Sequence, residues 1–215
     1  MDKQLTLNRK KLILLPDEAT NKPCSNHQPP DFRKQINLLD GGRASIRPIL
    51  SDDKKAIVKF FSRLSADTRF LRYHYSKNEL TDSDLKNFCD IDYSEVMALV
   101  VEKERLGRLE IIGVGRYYRI PPDHTAEIAM VVQDDEQQKG IGTQLLRHLA
   151  TLAWRRDIHH FTGEVLRQNG RMLSIFRKAD PQMKQEVDSP STCTILVSVA
   201  EAMNGTKNCL MINSH

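Results

Sequence analysis

Long apolar runs are missing from this 215-residue chain. No stretch approaches the ~20 apolar residues that a membrane helix needs, so no membrane-spanning role is expected. The first residues, Met1-Asp2-Lys3-Gln4-Leu5, lack the apolar core and small-residue cleavage site of an export signal. Cysteine is scarce: Cys24, Cys89, Cys193 and Cys209 lie far apart, with no C-x-x-C spacing. That argues against a disulfide framework or a zinc site and for reduced thiols in a cytoplasmic protein. A strong charge of one sign is also missing. The net charge of +4 is spread along the chain, which gives no argument for a nucleic-acid partner but would assist binding of a polyanionic ligand. No Ser-His-Asp or Cys-His arrangement can be argued from spacing. His159-His160 precedes a strand, where neighbours point to opposite faces, so a two-His metal site is not expected and no metal is implied.

What is present is one domain's worth of globular sequence, long enough to bury a single core. Its most informative stretch runs from Ala126 to Ala153. Ala126 to Val132 is an apolar run of strand length, β-branched at Ile128, Val131 and Val132, and broken only by Glu127. Beyond Gly142, Leu145, Leu146, Leu149, Leu152 and Ala153 recur with helical period. Between them, Gly140 and Gly142 allow positive φ or close approach of a ligand. The following helix turns its unpaired N–H groups and positive dipole end toward that loop, which makes an anion cradle. Lys139 adds a full charge. A bare G-x-G is more often a ligand-free βα turn than a ligand site. A dinucleotide fingerprint would need a third glycine where Leu145 stands.

The wider pattern resembles a known family. Gln137-Gln138-Lys139-Gly140-Ile141-Gly142 is similar to Q/R-x-x-G-x-G/A, the pyrophosphate-loop motif of the GNAT superfamily of acyl-CoA N-acyltransferases. The resemblance covers about Ala44 to Lys178, and the subgroup it resembles is the bacterial protein-lysine acetyltransferases of the Pat type. Those share an A-E-hydrophobic-A-V-V-V strand, a D-x-Q-x-x-G-x-G loop, and a segment similar to Leu64 to Tyr73 here. The V-L-x-x-N-x-x-M run from Val165 to Met172 resembles the family's second conserved segment. The resemblance implies an α/β (α+β) fold: a mixed, mostly antiparallel sheet flanked by helices. In it the family's fourth and fifth strands, here the Ala126 strand and the Phe161 strand, splay apart to admit the pantetheine arm. It implies acetyl-CoA as co-substrate, with Met130, Val131, Val132, Gln137, Gln138, Lys139, Gly140, Ile141, Gly142, Thr143, Asn169, Met172 and Phe176 at its site.

Taken in order, residues 1–43 stand apart. They are punctuated by Pro16, Pro23, Pro29 and Pro30, and Leu12 to Leu15 is their only apolar run. They read as a poorly structured or docking extension, with Gly41-Gly42 as the boundary. This arm is too short for the regulatory domain that Pat-type enzymes often carry. The domain proper is expected over 44–203. It starts with a first strand from Ser45 to Leu50 and an amphipathic helix carrying Ile57, Phe60, Phe61 and Leu64. Arg69, Arg72 and Tyr73 lie in a segment that helps form the acceptor wall in the family; on residue type alone they could be surface helix. A helix capped by Thr81 or Asp82 follows, then strands Glu95 to Val101 and Leu109 to Arg119. The latter carries Gly113 and Gly115 on one face, a flat patch for a helix. Beyond the Phe161 to Leu166 strand, a helix opens at Asn169, and Thr192 to Val199 reads as a final strand. Residues 204–215 form a tail.

The chemistry expected is attack by an amine on a thioester. An amine of pKa ~10.4 is only about 0.04% neutral at pH 7, so a general base lowers the cost. Glu127 is the candidate: burial in an apolar strand would raise its pKa, and the resemblance places a catalytic Glu there. An N–H of the Met130–Val132 strand would stabilise the oxyanion. Many relatives carry a Tyr seven residues after the conserved Asn as acid for the thiolate; here that position is Phe176, leaving solvent or the more remote Tyr117 and Tyr118. The expected partner is an acceptor protein bearing a lysine, or alternatively a small amine. A catalytically weak acyl-CoA-binding module is the third reading, with the protein a monomer or homodimer.

Overall fold

The computed structural model describes residues 30–204. The Leu12 to Leu15 run, Cys24, Cys209 and the tail beyond Asn204 lie outside the described residues.

Among the described residues, eight strands form one sheet in the order β1-β2-β3-β4-β5-β6-β8-β7. The first four are β1 (Lys34–Asn37), β2 (Arg43–Pro48), β3 (Val96–Arg105) and β4 (Arg108–Ile120). The others are β5 (Thr125–Val132), β6 (His160–Leu166), β7 (Lys184–Val187) and β8 (Thr192–Ser198). All neighbours are antiparallel except β5 and β6. This is the mixed, mostly antiparallel sheet that the motif pattern implies. The parallel pair is joined by a crossover helix, as geometry requires.

Both faces of the sheet are packed by helices, and the middle of β3 is apolar on both faces for that reason. Along β3, Met97, Leu99 and Val101 enter one cluster, while Ala98 and Val100 enter the other. The first cluster is closed by α4 (Ile141–Trp154), α5 (Gly170–Ala179) and α6 (Val199–Asn204); the second by α1 (Lys54–Ser62) and α3 (Asp82–Cys89). Helix α2 (Ala66–Tyr73) sits against β5. Gly113 and Gly115 form the flat patch expected of them. A Cβ on Gly115 would stand 3.1 Å from Leu149 and 3.3 Å from Leu145, both fully buried on α4. Burying each of those leucines stabilises the fold by about 1.5–3 kcal/mol.

The boundary expected at Gly41-Gly42 falls instead inside a β-hairpin. Strand β1 pairs with β2 in the register Lys34↔Ile46 to Asn37↔Arg43, and Ile36 and Leu38 are buried. The strand at Ser45 is thus the second of the sheet. Strand β7 was not foreseen either: all four of its residues are exposed, so it carries no apolar alternation. Thr81 caps α3 in a reciprocal box with Asp84, as its sequence suggests.

Candidate active site

β5 and β6 pair only over Thr125–Glu127 and His160–Thr162. Past Glu127 they diverge, so every second N–H along β5 from Ile128 to Val132 faces a gap rather than a neighbouring strand. Gly163 marks the point of divergence: a Cβ there would lie 3.0 Å from the Ile128 carbonyl.

A cleft of about 540 Å³ opens along this gap. Met130, Val131 and Val132 of β5, Gln137 to Thr143 except Lys139, Asn169 at the cap of α5 and Met172 within it line the cleft. Gln138 (φ 62°) and Gly140 (φ 85°) are both left-handed, which curls the loop over the start of α4. The first intrahelical acceptor there is the Gly140 carbonyl, bonded by Gln144 at 3.0 Å. Helix geometry leaves the first-turn N–H groups of α4 free to meet an anion. Arg171 and Lys178 add positive charge to the wall. The donor set and the left-handed cradle fit a diphosphate, and the narrow gap between the strands fits a thin, extended arm.

The loop is braced from three directions. Gln137 donates to the Val132 carbonyl (3.1 Å) and to Thr68 (3.3 Å), and accepts from Arg171 (2.5 Å). Asp134 accepts from the Ser65 backbone and hydroxyl (2.9 and 2.6 Å) and from Thr68 (2.7 Å), tying the loop to the start of α2. Glu136, only 2% exposed, holds Lys103 (3.0 Å), Arg105 (2.5 Å) and Lys139 (3.1 Å). Burial works to raise its pKa, but these three cations outweigh it and hold the carboxyl below the ordinary glutamate value.

Lys139 is therefore not the free charge its position suggests. Its ammonium is taken by Glu136 and by Asp40 (3.2 Å), and its side chain does not line the cleft. Asp40 belongs to the β1–β2 hairpin, whose Leu39 N–H donates to the Lys139 carbonyl (3.1 Å) and whose Leu39 side chain lines the cleft mouth. Nothing local in the sequence could have paired positions a hundred residues apart.

A smaller cavity of about 80 Å³ adjoins the first, with Leu71, Arg72, Met130, Asn169 and Met172 as shared wall. Glu127 lines it, as does Phe176, which faces this cavity rather than the larger one. Burial raises the Glu127 pKa above the ordinary glutamate value; Arg72 opposes that and Glu164 adds to it. Sequence reasoning missed Glu164 of β6 and His74 at the end of α2, which line the same cavity with His74 Nδ1 3.5 Å from the Glu164 carboxylate. Arg72 and Tyr73, which the resemblance assigns to the acceptor wall, line this cavity. Arg69 does not; it packs over Phe61 and donates to the Asn78 carbonyl. Tyr117 and Tyr118 are no part of the site: Tyr117 is fully buried with its hydroxyl held by Arg156, and Tyr118 accepts from Arg116.

At the start of β5, away from the loop, His124, Asp157 and His159 gather ligand atoms within 4.8 Å, all of them exposed. The two rings stack with an interplanar angle of 13°, each presenting a nitrogen to the one Asp157 carboxylate (2.8 and 3.0 Å). That arrangement sets two imidazole nitrogens against the one carboxylate. Among the described residues no helix is long and apolar enough to cross a membrane.

Comparison with known proteins agrees with this geometry. Residues 61–179 match the acetyltransferase (GNAT) family. An acetyltransferase of Pseudomonas aeruginosa is 34% identical over 119 residues, which cover 55% of this chain and 64% of that protein. Acetyltransferase Pat of Mycolicibacterium smegmatis is 29% identical over 141 residues, 65% of this chain and 41% of that protein. The matches thus span less than two thirds of either relative. Among solved structures, the GNAT domain of S. lividans PAT superposes with a TM-score of 0.71 at 29% identity, covering 80% of this chain and 99% of that one. With the splayed strands, the left-handed loop and the matched segment in agreement, the chain belongs to the GNAT family of acetyltransferases.

Proposed function

We propose that this protein transfers the acetyl group of acetyl-CoA to a primary amine, with a lysine side chain of a protein as the acceptor. The observation that carries the reading is the position of Glu127, a carboxylate with raised pKa that lines a small cavity adjoining a cleft fit for a diphosphate-bearing thioester. Bound there, acetyl-CoA supplies an activated acyl group. The first-turn N–H groups of α4 and the side chains of Arg171 and Lys178 hold the diphosphate end. The unpaired N–H groups of β5 between Ile128 and Val132 orient the carbonyl and receive the negative charge that develops on its oxygen. Glu127 accepts the amine proton, directly or through water, and the amine attacks in a ternary complex with no acyl-enzyme. Phe176 offers no proton to the departing thiolate, so solvent supplies it.

Calorimetry with coenzyme A tests the first half of this reading, and absence of binding refutes it. Thiol release from acetyl-CoA, measured with folded lysine-rich proteins against a panel of free polyamines, tests the second. A faster reaction with polyamines reassigns the acceptor to small amines. No thiol release with any amine, despite coenzyme A binding, reassigns the protein as a binding module.

A further inference from the structure

We propose that Glu164, oriented by His74, docks the acceptor as an ammonium ion, so that the site selects a protonated primary amine on a thin aliphatic arm. This rests on the acetyl-transfer reading above and names the group that chooses the acceptor.

The argument begins with strand register. Glu127 of β5 is paired with Thr162 of β6, so the two side chains lie on one face of the sheet. Glu164 is two residues beyond Thr162, and in a strand that returns it to the same face. The two carboxylates therefore stand on facing strands where the strands part, and both line the 80 Å³ cavity. Glu127 feels Glu164 as a like charge.

The balance of charge there is negative. The groups facing the cavity are Glu127, Glu164, Arg72, His74 and Tyr73. Burial pulls the His74 pKa below the ordinary histidine value despite the pull of Glu164, so the imidazole is neutral at pH 7. Burial raises the Tyr73 pKa, so the phenol is neutral as well. Two carboxylates thus face one guanidinium. A cavity of this size takes the end of an alkylammonium and excludes a bulky amine.

His74 is itself pinned. It caps α2 in the left-handed conformation (φ 62°, ψ 10°), with its N–H bonded to the Phe70 carbonyl at 2.8 Å. An imidazole fixed at that point orients the Glu164 carboxylate, which makes His74 a positioning residue. The mechanism assigned to Glu127 leaves both groups without a role.

In the step that follows docking, an N–H bond of the ammonium breaks and an O–H bond forms on Glu127. The electron pair left on nitrogen adds to the thioester carbonyl. Collapse breaks the C–S bond and the sulfur takes its electron pair. The second proton lost from nitrogen and the one on Glu127 leave to solvent, from which the thiolate takes one. Glu164 takes no part in this proton transfer, and its effect falls on acceptor binding.

The test uses the full chain and a short peptide carrying one lysine and blocked at both ends, with n-butylamine as a second acceptor. Glu164→Gln keeps the shape and removes the charge. It is expected to raise acceptor KM at least tenfold, to leave kcat within threefold, and to leave the coenzyme A Kd unchanged. Glu164→Asp is expected to recover part of the loss. His74→Asn is expected to give a smaller rise in the same constant. An unchanged KM in Glu164→Gln overturns the assignment of Glu164 while acetyl transfer by the wild type leaves the functional reading intact. Equal falls in kcat with KM constant also overturn it, since they point to a role in the chemical step. Failure of the wild type to acetylate either amine overturns both readings.

Discussion

Replacing Glu127 by Gln removes one negative charge and keeps the side-chain shape, so its effect isolates proton acceptance. The magnitude follows from the acceptor. At pH 7 a lysine amine of pKa ~10.4 is neutral in about one molecule in 2,500, which corresponds to roughly 4.6 kcal/mol of barrier. A positioned base recovers on the order of 10²–10⁴ of that in rate. Glu127 is suited to the task because burial against β5 raises its pKa toward the working range, with Glu164 adding to the rise and Arg72 limiting it. The sign is then fixed. The carboxylate accepts a proton only when ionised, so wild-type kcat/KM falls as pH drops through the raised Glu127 pKa and levels off above it. The Gln variant must wait for amine that arrives neutral, and its rate rises about tenfold per pH unit toward the amine's own pKa. The deficit is therefore expected to shrink roughly 100-fold between pH 7 and pH 9. Thiol release measured across that range, with calorimetry confirming unchanged coenzyme A affinity, checks this. A deficit that stays constant with pH would mean that Glu127 shapes the site without taking a proton, and no deficit at all would remove it from the mechanism.

Other outcomes follow from the same structure. Lys139→Ala should change coenzyme A affinity by less than about threefold, because Glu136 and Asp40 already neutralise that ammonium, whereas Arg171→Ala should weaken it about tenfold or more by removing a charge from the cleft wall and the brace on Gln137. Calorimetry of the two variants distinguishes them, and equal losses would show that Lys139 swings into the cleft. Gly115→Val should destabilise the fold by about 1–3 kcal/mol in chemical denaturation, since its Cβ alone would meet Leu149 at 3.1 Å and Leu145 at 3.3 Å. Arg47→Met should cost more, about 3–5 kcal/mol, because it strands Asp53 (2.7 Å) and Glu102 (2.5 Å) as buried carboxylates without their shared partner.

The parts of the fold that were legible in the sequence are those whose signal is local. The run from Ala126 to Val132, the glycines at 140 and 142 and the leucine stripe behind them each state their own conformation, and together they imply β5, the loop and α4. Glu127 was legible because a lone carboxylate interrupts an apolar strand. Gly113 and Gly115 were legible as a flat patch, although only packing shows that α4 fills it. What stayed hidden lies at edges or depends on distant partners. β1 and β7 are edge strands with KQIN and KQEV, and solvent on the outer side leaves them no apolar period to read. Lys139 looked like a phosphate ligand because its charge is visible and Asp40 is a hundred positions away.

Glu164 is the instructive case, because its strand was foreseen and its place in the cavity was not. On its own, a glutamate alternating with Gly163 and Val165 reads as an ordinary outward residue of β6. Two nonlocal facts change that. The parallel register of three residue pairs sets Glu127 and Glu164 on one face, and the capping of α2 brings His74 over them. The same splay that opens the cleft denies Glu164 a cross-strand partner on β5, so its charge is available to a ligand. A GNAT sheet can therefore carry a base and a docking carboxylate on adjoining strands without a further element, because parting the strands exposes both. The choice of acceptor would then be changed at the β6 position alone, with the loop and Glu127 left untouched.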